Sequence, residues 1–146
     1  MKIFIGTDHA GFELKENLVA FLRAEGHEVE DKGAHSLEAL DDYPDFIRPV
    51  AEAVAHDSNA RGIILGGSGQ GEAMCANRVK GARAAVYYGG TVDIVVLSRE
   101  HNDANILSIG ARFVETDEAK EVVKVWLNTP FSGAEKHARR IAKLDK

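Results

Sequence analysis

Short apolar runs alternate with amphipathic segments along the whole chain. Runs such as Ile3-Phe4-Ile5 and Gly62-Ile63-Ile64-Leu65 are flanked by turn-forming residues, which predicts buried strands. Between such runs, apolar residues recur at helical spacing, and Gly26 and Pro44 mark where helices end or begin. The pattern predicts five strands, at about residues 3–5, 27–30, 62–65, 84–88 and 106–109. It predicts helices at about residues 14–25, 44–54, 72–79, 91–99, 117–127 and 135–144.

Strands that are interleaved with helices in this way are typical of α/β proteins. We therefore predict a three-layer αβα, Rossmann-like fold built on an open sheet of five mainly parallel strands. The chain contains no internal repeat, low-complexity tract or linker, so residues 1–146 are predicted to form a single domain. In such sheets ligands bind beyond the carboxyl ends of the strands, where loops lead into helices.

Composition and charge exclude several classes of function. The formal net charge of −5 at pH 7 argues against general binding to nucleic acid or anionic membranes, because both need clustered cations. No apolar run approaches the roughly 18 residues of a membrane span, and no secretory signal is recognisable. The single cysteine, Cys75, excludes an intrachain disulfide and is consistent with a reducing cytosol. We expect a soluble, cytoplasmic protein without nucleic-acid or membrane partners.

The strongest chemical signal follows the third predicted strand, in Gly66-Gly67-Ser68-Gly69-Gln70-Gly71. Its glycines permit a tight turn and a close approach of the backbone to a ligand. Successive N–H groups in such a loop bind anions, and the helix that begins at Glu72 adds its dipole. The spacing differs from dinucleotide-binding loops, and the Lys-Ser or Lys-Thr pair of nucleoside-triphosphate loops is missing. The loop is either an anion-binding nest or only a tight strand-to-helix turn.

Three further polar groups could contribute to the same site. Asp8-His9 follows the first strand, and the run from His101 to Asn105 follows a helix and leads into the fifth strand. Near the C-terminus, Lys136, Arg140 and Lys143 share one helical face. Each group has a simpler interpretation, as a cap, a helix-ending turn or a solvated surface, but their combination favours a functional site. No residues at metal-ligand spacing accompany the two histidines, so no metal site is predicted.

Six short motifs span nearly the whole chain. They are GTDHAG at residues 6–11, DYP at 42–44, GGSGQG at 66–71, ANR at 76–78, SREHNDAN at 98–105 and GAR at 110–112. Together and in this order, they resemble the ribose-5-phosphate isomerase B family, which also includes galactose-6-phosphate isomerase subunits. The full set is far more specific than one glycine loop would be.

The resemblance implies a cofactor-free interconversion of ribose 5-phosphate and ribulose 5-phosphate, a reaction of the pentose phosphate pathway. It also implies a homodimer, in some members paired into a tetramer, with each active site shared between two subunits. Glu72 would be the catalytic base, and His101 would assist ring opening. The implied substrate-binding residues are Asp8, His9, Tyr43, Gly67, Ser68, Gly69, Gln70, Gly71, Asn102, Arg112, Lys136 and Arg140. The last three match positions that bind phosphate or sugar hydroxyls and are expected from the partner subunit.

Two positions depart from the common family pattern. Many members carry a cysteine base at the strand end, where this chain has Gly66; a second branch has glycine there and a glutamate after the loop, which Glu72 matches. Cys75 is interpreted as a small buried helix residue and not as the missing base. Lys136 stands where arginine is common, so the charge is kept but the bidentate fork is lost.

An aldose–ketose isomerase needs a base beside a carbonyl and donors that stabilise the resulting enediolate. Glu72 adjoins the nest and can act as that base, while the nest N–H groups and the Ser68 hydroxyl would stabilise the oxygens. The helix N-terminus favours ionised Glu72 and burial favours the neutral form, and the sequence leaves the balance open. Histidine suits the ring-opening proton transfers because it titrates near neutral pH.

Two other functions remain open at this point. One is isomerisation of a six-carbon phosphosugar such as allose or galactose 6-phosphate, for which residues near Tyr43 would set the pocket length. The other is a non-catalytic phosphosugar-binding domain, which would have no use for a carboxylate and an imidazole beside its anion loop.

Overall fold

The structure, a computed structural model, describes residues 1–146 and contains every predicted strand and helix. The strands are β1 (Lys2–Thr7), β2 (Glu28–Asp31), β3 (Arg61–Gly66), β4 (Ala84–Tyr87) and β5 (Ile106–Gly110). The helices are α1 (Phe12–Ala24), α2 (Pro44–His56), α3 (Gln70–Ala76), α4 (Asp93–Asn102), α5 (Thr116–Asn128) and α6 (Glu135–Ile141). A short 3-10 turn, His9–Gly11, joins β1 to α1.

All neighbouring strands are parallel, in the order β2-β1-β3-β5-β4, which confirms the predicted open α/β sheet. The chain moves outward in one direction from β1 to β2 and then crosses to the other side of β1 to form β3. The gap between the ends of β1 and β3 is therefore the switch point where α/β proteins bind their ligands. At this point the Thr7 hydroxyl donates a hydrogen bond of 3.0 Å to the Leu65 carbonyl.

The sheet separates two apolar cores, because successive strand residues face opposite sides. Ile3 and Ile5 of β1 pack with α1, α4 and α5, whereas Phe4 between them packs with α2 and α3. The same alternation in β3 sends Ile63 and Ile64 to opposite faces. The predicted three-layer αβα arrangement is thus confirmed.

The end of α4 differs from the sequence prediction. The helix was predicted to end near Arg99, but it continues through Asn102, so His101 lies in its last turn. Asp103 then adopts a left-handed conformation, with φ of 45° and ψ of 44°, and its N–H donates to the Arg99 carbonyl at 3.0 Å. The Asp103 carboxylate also pairs with Arg99 at 2.8 Å, which stabilises the additional turn.

No helix of the structure combines the length and the apolar content that a membrane crossing requires.

Candidate active site

A cleft of about 410 Å³ lies at the carboxyl ends of β1, β3 and β5, beside the switch point. It is lined by Asp8, His9, Ala10, Tyr43, Gly67, Ser68, Gly71, Glu72, Arg112 and Phe113. The structure therefore brings eight of the predicted site residues together around one cavity. Gly69, Gln70, His101, Asn102, Lys136 and Arg140 do not line it.

Glu72 is the buried acid of this cleft. It lies in the first turn of α3 and is only 4% exposed. Its carboxylate occupies the space beside Gly66, the last residue of β3. A Cβ atom added at Gly66 would overlap Oε1 and Cδ of Glu72, and even Oε2 would be only 2.5 Å away. Glycine at position 66 is thus a condition for the position of the Glu72 carboxylate.

The surroundings of Glu72 favour its protonated form. Burial raises the pKa of the Glu72 carboxyl above its ordinary value of 4.5, and the negative charge of Asp8 adds to this effect. A backbone N–H of the same residue acts in the opposite direction. Of the two opposing effects expected from the sequence, burial is the larger. A raised pKa brings a carboxyl group closer to the range in which it exchanges protons efficiently at neutral pH.

The glycine loop presents free donors to the cleft. No protein acceptor receives the backbone N–H groups of Gly67, Ser68 and Gly71. Gly69 is buried behind the loop with φ of 76°, and its carbonyl accepts a bond of 2.6 Å from the Ser108 hydroxyl. That bond fixes the loop so that its free N–H groups form an anion-binding concavity.

Tyr43 closes the cleft from the side of α2. Its ring lies against Gly71, where an added Cβ would be 2.9 Å from Cζ and 3.0 Å from the hydroxyl oxygen. Any side chain at position 71 would therefore displace the ring. The contact explains how a residue 28 positions away in sequence comes to line the same cavity.

Asp8 and His9 form the wall on the side of β1. Asp8 is 7% exposed, and its Oδ1 accepts the Ala10 N–H at 3.0 Å, which caps the 3-10 turn. The His9 ring bonds through Nδ1 to Oδ1 of Asp41 at 2.7 Å, and Oδ2 of Asp8 lies 3.8 Å from the same nitrogen. Potential ligand atoms of these three residues lie within 4.8 Å of one another, and the hydrogen bond between His9 and Asp41 joins them into an acid–imidazole cluster.

The segment after β5 adds a free cation and an exposed aromatic ring to the cleft. The Arg112 guanidinium lies over Gly67, where an added Cβ would be 3.2 Å from Nη1. Arg112 thus lines the cleft of its own chain, in contrast to the expectation that a partner subunit supplies it. Phe113 is 62% exposed and packs edge to face with Tyr88, with ring centroids 6.4 Å apart. The cleft thus combines two acids, an imidazole, a guanidinium and an apolar rim.

A second group of predicted residues lies at the amino-terminal ends of the strands, away from the cleft. Helix α4 connects two parallel strands, so it runs back against the strand direction and ends at their amino-terminal edge. Accordingly, the Gly62 N–H at the start of β3 donates to the Asn105 carbonyl at 2.8 Å. His101 and Asn102 lie just before this segment, whereas Glu72 lies beyond the far end of β3. Within the chain they therefore lie at opposite ends of the strands.

Helix α6 places its cations beside this second group. The His101 ring stacks on His137, with centroids 4.3 Å apart. Burial lowers the pKa of His137, and the positive charges of His101, Lys136 and Arg140 lower it further. Arg139 pairs with Glu135 at 3.1 Å, but Lys136 and Arg140 are exposed and have no acidic partner. Both are therefore available to an anion.

Sequence reasoning missed Ala10 and Phe113, which line the cleft, and Asp41, which bonds to His9. Asp41 is 32 positions from His9, and its acidic loop carries no pattern that predicts this contact. Phe113 directly follows the GAR motif and could have been found from its position after β5. Cys75 is 8% exposed, and burial raises the pKa of its thiol, in agreement with its interpretation as a buried helix residue.

Known proteins share both the sequence and the fold. Residues 3–144 match the family described as Ribose/Galactose Isomerase. Ribose-5-phosphate isomerase B of Mycolicibacterium paratuberculosis is 45% identical over 97% of this chain and 87% of its own length. The Escherichia coli protein of the same name is 41% identical over 96% of this chain and 91% of its own length.

Solved structures of proteins with the same name are similar to this chain in fold as well as in sequence. Ribose-5-phosphate isomerase B of Clostridium thermocellum has a TM-score of 0.91 and 46% identity, covering 99% of this chain and 95% of that one. The Mycoplasma genitalium enzyme with bound ribulose 5-phosphate has a TM-score of 0.92 and 38% identity, covering 98% of this chain and 93% of that one. With these similarities over nearly its full length, the chain belongs to the ribose/galactose isomerase family.

Proposed function

We propose that this protein interconverts D-ribose 5-phosphate and D-ribulose 5-phosphate through an enediolate, with Glu72 as the base. The observation that carries the proposal is the buried Glu72 carboxylate beside the free N–H groups of the glycine loop. Relatives named ribose-5-phosphate isomerase B and the ribulose-5-phosphate complex of the Mycoplasma genitalium protein support the choice of substrate.

The chemistry follows from the arrangement of the cleft. Ionised Glu72 takes the proton from the carbon next to the carbonyl and returns it to the neighbouring carbon. The N–H groups of Gly67, Ser68 and Gly71 stabilise the negative oxygens of the enediolate, and losing one such donor costs about 2.7–4 kcal/mol in a hydrolase. Each step is a proton transfer between side chain and sugar, so the mechanism uses no metal or organic cofactor.

Four of the predicted residues outside the cleft act from a second subunit. His101, Asn102, Lys136 and Arg140 lie too far around the sheet to reach Glu72 of the same chain, yet the last two are unpaired cations. In a symmetric homodimer each subunit offers this group to the cleft of the other. There His101 assists ring opening, Asn102 binds the sugar, and Lys136 and Arg140 join Arg112 around the phosphate.

Exposed apolar side chains support such a dimer, and two dimers could pair into a tetramer. Phe113 and Tyr88 form an exposed aromatic pair at the rim of the cleft, and Tyr88 is 57% exposed. On α4, Ile94 is 50% exposed and Leu97 is 41% exposed. A subunit that docks over this surface would cover these residues and place its own α4 and α6 near the cleft.

The test is turnover of ribose 5-phosphate by the purified wild type and two variants, Glu72→Gln and Cys75→Ala. We expect Glu72→Gln to lose about a hundredfold or more of kcat while folding normally, because the amide cannot accept the proton. Cys75→Ala, the matched control at a buried position of the same helix, should stay close to the wild type. Full activity of Glu72→Gln would remove Glu72 as the base.

The same assay decides between the sugars. Allose 6-phosphate and galactose 6-phosphate are tested beside ribose 5-phosphate at equal concentration. A wild type that turns over only a six-carbon phosphosugar would overturn the proposed substrate but not the isomerase chemistry. A wild type that binds phosphosugars without turning over any of them would overturn the enzyme assignment.

A further inference from the structure

Asp41 makes an unusual double contact with His9. It lies in the loop between β2 and α2, and its side chain is about nine-tenths buried, with 10% exposed. One carboxylate oxygen, Oδ1, accepts both the backbone N–H of His9 at 3.0 Å and the ring Nδ1 at 2.7 Å. The carboxylate therefore fixes the main chain and the ring of His9 at the same time.

This contact determines which ring nitrogen of His9 is free. An ionised carboxylate only accepts hydrogen bonds, so Nδ1 must carry a proton. Oδ2 of Asp8 lies 3.8 Å from the same nitrogen and adds a second negative charge on that side. Nε2 is the nitrogen left for a ligand in the cleft, and in the imidazolium form it is a charged donor.

The other oxygen of Asp41 indicates that the residue serves more than the fold. Oδ2 is buried and has no hydrogen-bond partner. A buried, unsatisfied carboxylate oxygen destabilises a folded protein. A neutral or apolar residue in this loop would avoid that penalty, but it would leave the His9 ring without its carboxylate. The local arrangement therefore favours control of His9 over stability of the loop.

We infer that Asp41 is a positioning residue for substrate binding, which holds the His9 ring through its protonated Nδ1 so that the imidazolium form donates from Nε2 to the phosphate group of the sugar. The inference rests on the proposed function, because it takes the ligand to be a phosphosugar. Arg112 is the other cation that lines the cleft, and Glu72 and Asp8 are its acids. His9 therefore adds a donor on the β1 side, opposite Arg112, where the nearby charges of this chain are negative.

The first test compares Asp41→Ala and Asp41→Asn with the wild type in the ribose-5-phosphate assay. Asp41→Ala should raise KM about tenfold and leave kcat within about threefold, because phosphate binding contributes equally to the ground and transition states. Asp41→Asn keeps an acceptor but loses the charge, so its KM should lie between the two. Glu38→Gln is the matched control, since Glu38 is an exposed acid of the same loop without a contact to His9. A change in kcat alone would overturn the inference.

The second test separates positioning from a general structural effect. If Asp41 acts through His9, then Asp41→Ala adds no further loss of kcat/KM in a His9→Ala background. Losses that multiply, as for independent sites, would overturn the inference. Unfolding curves for all variants verify that the comparison is made on folded protein.

A third readout does not depend on turnover. Nitrogen-15 NMR of the histidine rings with inorganic phosphate bound should show His9 protonated at both nitrogens in the wild type, and this state should change in Asp41→Ala. A neutral His9 ring in the phosphate-bound wild type, whichever nitrogen carries its proton, would overturn the inference. If the ring state is as expected but ribose 5-phosphate is not turned over, the proposed function fails, and a shift of His9 on addition of inorganic phosphate then decides whether its role in anion binding stands.

Discussion

The Glu72 carboxylate fills the space in which a side chain at position 66 would begin. The two positions are therefore coupled: a residue with a Cβ at 66 excludes this placement of Glu72, and glycine permits it. A side chain at the end of β3 and the Glu72 carboxylate would thus compete for one volume of the cleft, which does not accommodate both.

Gly66→Ala should damage both stability and catalysis. The added methyl group displaces the Glu72 carboxylate, so we expect kcat to fall about a hundredfold and the free energy of unfolding to fall by about 1–3 kcal/mol. In a Glu72→Ala background the same substitution should cost less than about 0.5 kcal/mol, because the overlap is gone. Urea denaturation of the four proteins measures this difference. Equal penalties in both backgrounds would show that position 66 is crowded by something other than Glu72.

The raised pKa of Glu72 predicts an unusual dependence of stability on pH. A buried carboxyl with a raised pKa contributes stability below its ordinary value of 4.5 and loses that contribution as the pH rises through the folded-state pKa. Glu72→Gln, which cannot ionise, should therefore be more stable than the wild type at pH 8, and the advantage should vanish near pH 4. Urea denaturation at the two pH values tests the sign. A variant that is less stable than the wild type at pH 8 contradicts the burial argument.

The same pKa predicts the acid limb of the activity profile. Only the ionised carboxylate accepts a proton, so kcat/KM should decline at a higher pH than an ordinary glutamate with a pKa of 4.5 would allow. A pH series with ribose 5-phosphate locates the midpoint of this decline. A midpoint at or below the ordinary glutamate value would be inconsistent with Glu72 as the base.

The Cys75 thiol should react slowly with alkylating reagents. Burial raises the pKa of its thiol, and the negative charge of Glu72 adds to this, so little thiolate is present near neutral pH. We expect alkylation by iodoacetamide to be at least about tenfold slower in the folded protein than in denaturant. Mass spectrometry of the intact chain follows the reaction. Rapid alkylation of the folded protein would mean that the thiol is more accessible than its 8% exposure indicates.

The proposed sharing of the active site between two subunits can be tested by mixing two inactive variants. Glu72→Gln and His101→Asn homodimers should each be nearly inactive. After the two are unfolded together and refolded, half of the dimers are mixed and each has one intact site, so about a quarter of wild-type activity should return. Native mass spectrometry counts the mixed dimers. If mixed dimers form but no activity returns, Glu72 of one subunit and His101 of the other do not act in one shared site.

Asp103 should be important for the end of α4. Its two oxygens pair with Arg99 at 2.8 Å and Arg83 at 3.1 Å, and Arg99 is only 3% exposed. Asp103→Asn keeps a residue that tolerates φ of 45° but removes the charge, so we expect a loss of about 1–3 kcal/mol. Asp117→Asn is the matched control, because the Asp117 side chain is 99% exposed and its ion pair with Lys120 should contribute less than about 1 kcal/mol. Thermal and urea unfolding compare the two variants.

Much of the fold is predictable because its signals are local. The apolar runs of the strands and the helical spacing of residues such as Leu14 and Leu18 lie within single elements, and each element is present. The glycine loop and Glu72 are adjacent in sequence, so their meeting in one cleft follows from the order of strand, loop and helix. The ends of elements are less predictable, because contacts such as Asp103 with Arg83 join distant segments.

The site is predictable only in part, for the same reason. The bond between His9 and Asp41 spans 32 residues, and no periodicity reports it. The placement of His101 opposite the cleft depends on how far α4 extends and on the return direction of a helix between parallel strands. The motifs along the chain predict that these residues serve the same reaction, but they do not predict which residues meet within one chain.

The order of strands in the sheet also determines how the chain can be assembled as it is synthesised. β4 pairs only with β5, and β5 fills the gap between β4 and β3, although it is made after both. Until Ile106–Gly110 leaves the ribosome, β4 has no partner and β3 has an open edge. A nascent chain that stops before β5 therefore exposes an unpaired β4 and one open edge of β3, and chaperone capture of this intermediate should end when the fifth strand emerges.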